Sequence, residues 1–429
     1  MADTTADEPN QRGPSQREPN QRGPNRQIRT ILAVATGSLV LTVGGAVSYM
    51  YEHLNGNIHT AGDLDSLTGR PAALGATPDG GPPINILLLG SQTRDGQLGQ
   101  FGNSDSTGSF GGGTGTDISD TSMLLHVSSD RKHALVVSIP RDTLVDRPRC
   151  VSRDGTGVVD PEHRAMFDTA MSLGGPLCTA ATVERMWDVR VDHFIRLDFN
   201  GFRKIVTYLG GVRVCIPAGG LHDPYSHLNL DAGLHIVTGD EALAFVRDRH
   251  GIGNGSDLGR IKMQQMFLSS LITKMESNGT LSNPDKLYGL ANTATSSITT
   301  DQALGSVPAL LGLAETVRAL KPSNIHFVTM PTVYDQYDPN RVDPAPAADV
   351  LWSLVRNDRT LDSSSAATLP NPPTVPADST APTDSTAATT PSTTPSMSPS
   401  QTPDAAPDFQ DRPANQDICA GLPAPNPNR

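Results

Sequence analysis

Three arginines lie close together in the stretch from Gly239 to Gln265, GDEALAFVRDRHGIGNGSDLGRIKMQQ. The whole chain carries a net charge of −12, so guanidinium groups concentrated at one place indicate a local anion site rather than a generally basic surface. Guanidinium suits phosphate because its planar donors bind two oxygens at once. The candidate anion ligands of this stretch are Arg247, Arg249, Arg260 and Gln264.

The two arginines of the RDR sequence need a particular backbone to act together. Two residues apart on a helix, Arg247 and Arg249 would point in nearly opposite directions. They converge on one ligand only if the helix that begins after Thr238 ends near Val246 and the chain then extends. Glycines follow at positions 251, 253 and 255, in agreement with such an ending.

A second helix is predicted from about Asp257 to Met275. Arg260 and Gln264 are four residues apart and share one of its faces. Core packing is the default role of its apolar stripe, which consists of Met263, Met266, Phe267, Leu271 and Met275. The alternative to an anion site is a set of surface ion pairs, which are common and weak. The combined pattern favours the anion site.

Two more candidates lie next to predicted strands. Arg141, in SIPRD, follows a buried strand, and ligands in open α/β sheets bind at the carboxyl ends of strands. Asp120, in SDT, is a hard oxygen donor that suits Mg²⁺. A structural role competes in each case: a surface ion pair for Arg141 and a turn or cap for Asp120.

The four cysteines form no CxxC pair, so a zinc site is not indicated. An even number of cysteines in an extracytoplasmic chain permits disulfides. We predict that Cys150 pairs with Cys178, because this bridge would clip a polar, irregular loop. That pairing leaves Cys215 with Cys419.

Residues 31–51 carry no charge, and their length suits one membrane-spanning helix. Five arginines between positions 12 and 29 precede this run, so the positive-inside rule predicts a cytoplasmic N-terminus and an extracytoplasmic remainder. A cleaved signal peptide is the rival interpretation, but the run is long for one and no A-x-A site follows closely. Acidity and an anchor both argue against nucleic-acid binding.

Composition divides the chain into five parts. We predict a disordered cytoplasmic tail at 1–30, a transmembrane helix at 31–51, a linker at 52–81, a globular domain at 82–352 and a disordered Ser/Thr/Pro-rich tail at 353–429. In the globular part, strands alternate with helices, which favours an α/β fold with helices on both faces of a sheet. The strands are predicted at 84–89, 123–128, 134–139, 193–198, 212–216 and 325–330. Helices besides those described above are predicted at 179–187, 199–209 and 302–320.

Five segments resemble the LytR–CpsA–Psr family of bacterial cell-wall glycopolymer ligases. They are NILLLGS (85–91), SDTSMLLHV (119–127), VVSIPRDT (136–143), VDHFIRLDFNGFRKIVTYLGGVRVCIP (191–217) and GDEALAFVRDRHGIGNGSDLGRIKMQQ (239–265). The resemblance implies a three-layer α/β/α sandwich with a central mixed sheet and a deep apolar pocket for a polyprenyl chain. It also implies a membrane-anchored phosphotransferase, dependent on Mg²⁺ or Mn²⁺. This enzyme would move a glycopolymer phosphate from a polyprenyl-pyrophosphate carrier to peptidoglycan.

Residue roles follow from the same motifs. By this resemblance, Asp120 would help hold the metal and act in catalysis together with three of the arginines, Arg141, Arg247 and Arg249. The residues implied to bind the pyrophosphate are Arg141, Arg247, Arg249, Arg260 and Gln264.

Three positions depart from the family pattern. Gln92 stands where a second metal-binding aspartate is usual, Ile118 replaces an arginine, and Met166 replaces a lysine. Asp95, Asp105 or Asp117 could replace the missing carboxylate, and Arg164 could replace the lysine. Two alternatives therefore stay open: a degenerate homologue that binds polyprenyl-phosphate glycans or scaffolds wall assembly, and a polyprenyl pyrophosphatase in which water replaces the sugar acceptor.

Overall fold

The computed structural model describes residues 26–77, 80–91, 119–223, 226, 228–249, 257–277, 283–359, 361, 412–416 and 419. The chain forms two compact units, Met1–His53 and Leu54–Arg429. The helices are α1 Arg26–Gly56, α2 Phe167–Trp187, α3 Phe199–Tyr208, α4 Gly239–Arg247, α5 Asp257–Ser277, α6 Pro284–Thr295, α7 Val307–Arg318 and α8 Pro346–Arg356.

The strands of the second unit are short except in the middle of the sheet. They are β1 His59–Thr60, β2 Ile84–Ser91, β3 Ser119–Val127, β4 Ala134–Ile139, β5 Leu144–Arg147, β6 Cys150–Val151, β7 Val158–Val159, β8 Glu162–Met166, β9 His193–Asp198, β10 Val212–Ile216, β11 Leu221–Asp223, β12 Leu228–Leu230, β13 Gly233–Val237, β14 Ile298–Thr300, β15 Ile325–Thr329, β16 Thr332–Tyr334, β17 Val342–Pro344 and β18 Arg412–Pro413.

The first unit contains most of α1, which is 31 residues long and includes the predicted membrane span at 31–51. Over the described residues, no helix is at once long enough and apolar enough to span a membrane. The transmembrane helix therefore stays a prediction.

One mixed sheet of eight strands organises the second unit, in the order β1-β14-β9-β2-β3-β4-β15-β18. The strand β2 is parallel to β9 and antiparallel to β3, and β4 is antiparallel to β3 and parallel to β15. The predicted mixed α/β fold is confirmed, and each of the six predicted strands is present. The central strands are apolar and buried; every residue of β4 is buried, as expected for a sheet covered on both faces.

Helices cover the two faces of this sheet and make three layers. Alternate residues of β4 point to opposite faces: Leu135 and Val137 pack in a core with residues of α2 and α8, whereas Val136 packs with residues of α5 and α7 on the other face. In the first core the rings of Trp187 and Trp352 stack with centroids 4.6 Å apart.

The apolar stripe of α5 is part of a third core. Met263, Met266 and Phe267 are buried there against α4 and the β10–β13 hairpin. This placement agrees with the default interpretation as core packing. The deep apolar pocket implied by the family resemblance stays a prediction.

α2 begins at Phe167, well before the helix predicted at 179–187. Gly175 has a φ of 69° and precedes Pro176, so the helix is kinked there instead of ending. Glycine tolerates this left-handed conformation, and proline is tolerated in the first turn of the helix that follows.

Parts of the predicted tail at 353–429 belong to the folded unit. Position 352 lies inside α8. The C-terminal strand β18 pairs antiparallel with β15 at the edge of the main sheet, and Ala414 is only 1% exposed. Composition could not show this, because a two-residue strand has no periodicity.

Both predicted disulfides are present. Cys150–Cys178 joins β6 to α2, with a sequence separation of 28. Cys215–Cys419 joins β10 to the C-terminal segment, with a sequence separation of 204. The second bridge therefore closes a much longer loop.

Replacing Cys419 with serine should lower the free energy of unfolding. Opening this bridge restores conformational entropy to the unfolded chain, an effect on the order of 2–4 kcal/mol, and frees the segment that covers the edge of β15. We expect the melting temperature of the full chain to fall by several degrees in differential scanning calorimetry. The exposed neighbour Asn415 provides a control, since Asn415→Ser should leave the melting temperature unchanged. Equal melting temperatures for Cys419→Ser and wild type would contradict a stabilising bridge.

Candidate functional site

The register of the central sheet brings Asp120 and Arg141 together. Ser122 of β3 pairs with Ile139 of β4, so the start of β3 lies beside the end of β4. Asp120 precedes Ser122 by two residues and Arg141 follows Ile139 by two. Arg141 Nη1 donates a hydrogen bond to Asp120 Oδ1 at 3.1 Å. The predicted anion ligand and the predicted metal ligand are therefore in direct contact.

The first turn of α5 closes on this pair. Asp257 Oδ2 accepts the backbone N–H of Arg141 at 3.1 Å, and Asp257 Oδ1 pairs with Arg260. Arg260 Nη2 donates to the backbone carbonyl of Asp120 at 2.9 Å, and its Nη1 lies 3.8 Å from Asp120 Oδ1. Because Arg260 is only 3% exposed, these contacts fix the helix and both strand ends in one arrangement.

The chain after α4 brings in a third guanidinium group. The helix α4 ends at Arg247, close to the predicted end near Val246. Its C-cap residue, Asp248, has an extended backbone with φ −60° and ψ 127°. Arg249 Nη2 then lies 4.0 Å from Asp142 Oδ2. Burial lowers the pKa of Arg249, and the positive charges of Arg141 and Arg260 lower it further. Like charges act in this way only at short range, so the three guanidinium groups share one region.

Arg247 and Gln264 reach the same edge of the sheet through other contacts. The guanidinium carbon of Arg247 lies 4.8 Å from the ring centroid of Phe199, which is a cation–π geometry. Phe199 directly follows β9. Gln264 donates its amide N–H to the carbonyl of Val246 at 3.1 Å and so holds the end of α4. The described contacts of these two side chains are structural, and their implied role as pyrophosphate ligands stays a prediction.

Asp168 belongs to the site but was not predicted. Its backbone N–H donates to the carbonyl of Arg141 at 3.2 Å, and the residue is 8% exposed. Its Oδ1 is buried and has no hydrogen-bond partner among the described residues. Burial raises the pKa of Asp168 to about 6; Arg141 lowers it, and the charges of Asp142 and Asp120 raise it. The sequence feature that could have indicated Asp168 is a single carboxylate in the mostly apolar segment AMFDTAM.

Arg341 is the second residue that the sequence did not indicate. Its positive charge lowers the pKa values of Asp142 and Asp168, although burial raises both. The backbone explains its position, because the N–H of Val342 donates to the carbonyl of Asp142 at 3.2 Å. Tertiary contacts of this kind bring Arg341 to the site, and no local sequence pattern indicates it.

These residues form one charge cluster at the end of β4. Arginines and aspartates alternate in it, so no part of it is uniformly basic. Its members are Arg141, Arg249, Arg260, Asp120, Asp142, Asp168 and Asp257. Within the described ranges, no group of three or more His, Cys, Asp or Glu side chains could hold a metal ion.

The positions that depart from the family pattern are only partly described. Met166 is the N-cap residue of α2 and is half-buried. Arg164 pairs with Asp343 at 3.0 Å and also with Asp335, so its described partners lie around the β16–β17 hairpin. The predicted residues that lie outside the described ranges are Gln92, Asp95, Asp105, Asp117 and Ile118.

Comparison with known proteins identifies the family. The LytR_cpsA_psr family model matches residues 54–349, and the chain belongs to the LytR–CpsA–Psr family. It is 30% identical over 312 residues to the cell wall biosynthesis protein LcpA of Corynebacterium glutamicum, across 68% of this chain and 58% of LcpA. The probable cell wall biosynthesis protein LcpB of the same organism is 32% identical over 237 residues, across 55% of this chain and 52% of LcpB. The chain thus spans little more than half the length of these two relatives.

Two further proteins were compared: a relative whose name states an activity, and a protein of solved structure. TagU of Oceanobacillus iheyensis, a polyisoprenyl-teichoic acid–peptidoglycan teichoic acid transferase, is 26% identical over 259 residues, which cover 59% of this chain and 71% of TagU. The LytR-Csp2A-Psr enzyme from Actinomyces oris aligns with a TM-score of 0.47 and 21% identity, across 67% of this chain and 93% of that one.

Replacing Asp168 with asparagine should stabilise the protein at neutral pH. The native carboxyl keeps its proton up to about pH 6, whereas the unfolded chain releases it near the ordinary pKa of 3.8. The wild type therefore loses stability as pH rises from about 4 to 6, and the loss is complete above that range. The rise in the pKa of Asp168 from 3.8 to about 6 corresponds to up to about 3 kcal/mol, which Asp168→Asn should recover at pH 7.5 but not at pH 4.

Urea unfolding of both chains at the two pH values, with chelator present, would measure this difference. Asp160→Asn alters an exposed aspartate and should change neither value. A wild type at least as stable as Asp168→Asn at pH 7.5 would count against the burial of an ionised carboxylate.

Proposed function

We propose that this chain is a Mg²⁺-dependent phosphotransferase that moves a glycopolymer phosphate from a polyprenyl-pyrophosphate carrier to peptidoglycan. The observation that carries the proposal is the convergence of Arg141 and Arg260 on Asp120 at the end of β4, with Arg249 beside the adjacent Asp142. The names of relatives such as TagU, a teichoic acid transferase to peptidoglycan, support the same reaction class.

The charge balance of the cluster supports a requirement for a divalent cation. With Arg341, four guanidinium groups face four carboxylates, so the described cluster offers no net positive charge to a pyrophosphate. Mg²⁺ binds through one or two carboxylates together with substrate phosphates and waters, and it needs no cage of three protein ligands. Asp120, the predicted metal ligand, fits this donor set as one carboxylate that substrate phosphates and waters would complement. When bound there, Mg²⁺ would neutralise phosphate oxygens and polarise the phosphoryl group.

The remaining groups position and neutralise the substrate. In the proposed reaction, a sugar hydroxyl oxygen of peptidoglycan attacks the phosphorus that carries the glycopolymer. The bond from this phosphorus to the bridging oxygen breaks, and polyprenyl phosphate leaves. Arg141 and Arg249 would bind the oxygens on which negative charge develops, in a partly buried region where such interactions are strong. The hydroxyl proton would pass to Asp168, because a carboxylate with a pKa of about 6 suits proton transfer near neutral pH.

The lipid carrier implies that the reaction takes place at a membrane. We infer that α1 anchors the chain through residues 31–51, with the N-terminus cytoplasmic and the second unit extracytoplasmic. The arginines before the apolar run support this orientation, and the two disulfides support an oxidising compartment.

Arg141→Ala should reduce transfer by about 10²- to 10³-fold, the usual effect of removing one donor to a developing negative charge. Arg141→Lys should recover only part of the activity, because lysine keeps the positive charge but cannot form the bidentate hydrogen bonds of a guanidinium group. Full-length protein in detergent would be given Mg²⁺, a synthetic polyprenyl-pyrophosphate glycan and peptidoglycan oligomers, and the product would be measured by mass spectrometry.

The control for this series is Arg213→Ala, which removes an exposed arginine of β10 and should leave transfer unchanged. Melting temperatures of all variants would show that they are folded. Undiminished transfer by folded Arg141→Ala would falsify the proposed role of the cluster.

Gln92→Asp should lower the Mg²⁺ concentration needed for half-maximal transfer. An aspartate at this position adds a charged ligand, whereas an amide ligates through its oxygen without charge. The same assay with a Mg²⁺ titration measures the effect, and Asn103→Asp provides a matched added charge in the same Gly-rich segment. A wild type without transfer, together with an active Gln92→Asp variant, would instead favour the alternative of a homologue that binds the carrier and has lost its chemistry.

A further inference from the structure

A large cavity lies beside the Cys150–Cys178 disulfide, outside the charge cluster. Its volume is about 1260 Å³, which exceeds the usual range for a small-ligand pocket, about 300–1,000 Å³. Its walls are the turn at 61–69, the segment 146–163 and the part of α2 from Gly174 to Arg185. We call this cavity the disulfide groove. The disulfide ties the hairpin β6–β7 to α2, so two of its walls are held together covalently.

The lining of the disulfide groove is rich in arginine. Its arginines are Arg147, Arg149, Arg153, Arg185 and Arg196. Arg149, Arg153 and Arg185 are exposed. On a chain with a net charge of −12, such a concentration of guanidinium groups favours an anionic ligand.

The acidic residues of the lining do not cancel this charge, because it contains five arginines and three carboxylates, and two of these carboxylates are paired with arginines. Glu184 binds Arg70 at 2.9 Å, and this arginine does not line the groove. Glu162 binds Arg147 at 2.9 Å, and Asp146 lies 2.5 Å from the ring of His163. Arg149 and Arg185, which are both exposed, therefore present positive charge to an incoming ligand.

The floor of the groove is bonded to residues next to the charge cluster. Arg147 Nη1 donates to Thr169 Oγ1 at 3.1 Å, and Thr169 follows Asp168. Arg196 Nη2 donates to Ser91 Oγ at 3.2 Å, and Ser91 pairs across the sheet with Ser119, the neighbour of Asp120. A ligand in the groove would thus have one end close to the site of phosphoryl transfer.

We propose that the disulfide groove binds the acceptor, a peptidoglycan strand whose stem-peptide carboxylates face Arg149, Arg153 and Arg185. This inference rests on the proposed function. The polyprenyl chain does not suit the groove, because charged side chains line it. The donor pyrophosphate is assigned to the charge cluster. Val151 and Val158, which are 64% and 53% exposed on the groove wall, offer apolar contact to the faces of sugar rings.

A double variant, Arg149→Ala/Arg185→Ala, tests the proposal with little risk to folding, since both side chains are exposed. The first measurement is binding of a fluorescent disaccharide-peptide oligomer to the full-length protein without donor, by anisotropy. Losing two exposed charge pairs should weaken binding about tenfold and reduce its salt dependence. The same oligomer with amidated stem carboxylates should bind the wild type as weakly as the free-acid form binds the double variant.

The second measurement is transfer, with donor and acceptor varied separately. We expect the KM for the acceptor to rise about tenfold in the double variant, with the KM for the donor unchanged. Arg213→Ala, outside the groove, should alter neither value. An unchanged acceptor affinity, or a rise confined to the donor KM, would overturn the proposal. The wild type could bind the oligomer in a manner that depends on Arg149 and Arg185 and yet perform no transfer. That result would support the groove as a binding site and reject the proposed function.

Discussion

The hydrogen bond between Arg141 and Asp120 is the interaction on which the rest of the site depends. It exists because β3 and β4 are antiparallel neighbours, so that the start of one strand lies beside the end of the other. The first turn of α5 then satisfies the backbone on both sides of this contact, through Asp257 and Arg260. The register of the sheet and the position of α5 are thereby coupled to the geometry of a few charged atoms.

Burial of so many charges is costly unless they are paired, and the pairing has a chemical consequence. In the ligand-free protein, the carboxylates occupy the guanidinium groups that a pyrophosphate would need. In the proposed reaction, a pyrophosphate would therefore compete with these internal ion pairs, and a divalent cation would ease the competition by neutralising carboxylates.

The sequence predicted the central strands and the positions of Arg141 and Asp120, since these depend on local apolar patterns that end at polar residues. It also predicted that α4 ends near Val246, because a helix continued through the RDR sequence would separate its arginines, and α4 ends at Arg247. It did not predict Asp168 or Arg341, which reach the site through tertiary contacts made by the start of α2 and the loop before β17. The strand β18 was missed for a similar reason: two residues carry no periodic signal, and their pairing partner β15 lies far away in the chain.

The bridge between Cys215 and Cys419 changes the covalent topology of the Ser/Thr/Pro-rich region. Residues between α8 and β18 are joined to the folded unit at both ends, so this region is a closed loop and not a free terminus. A single proteolytic cut within it would leave two polypeptides that stay linked through the disulfide and through strand pairing. A reducing gel would show two fragments, whereas a non-reducing gel would show no loss of mass. The strand β18 would stay paired with the edge strand β15.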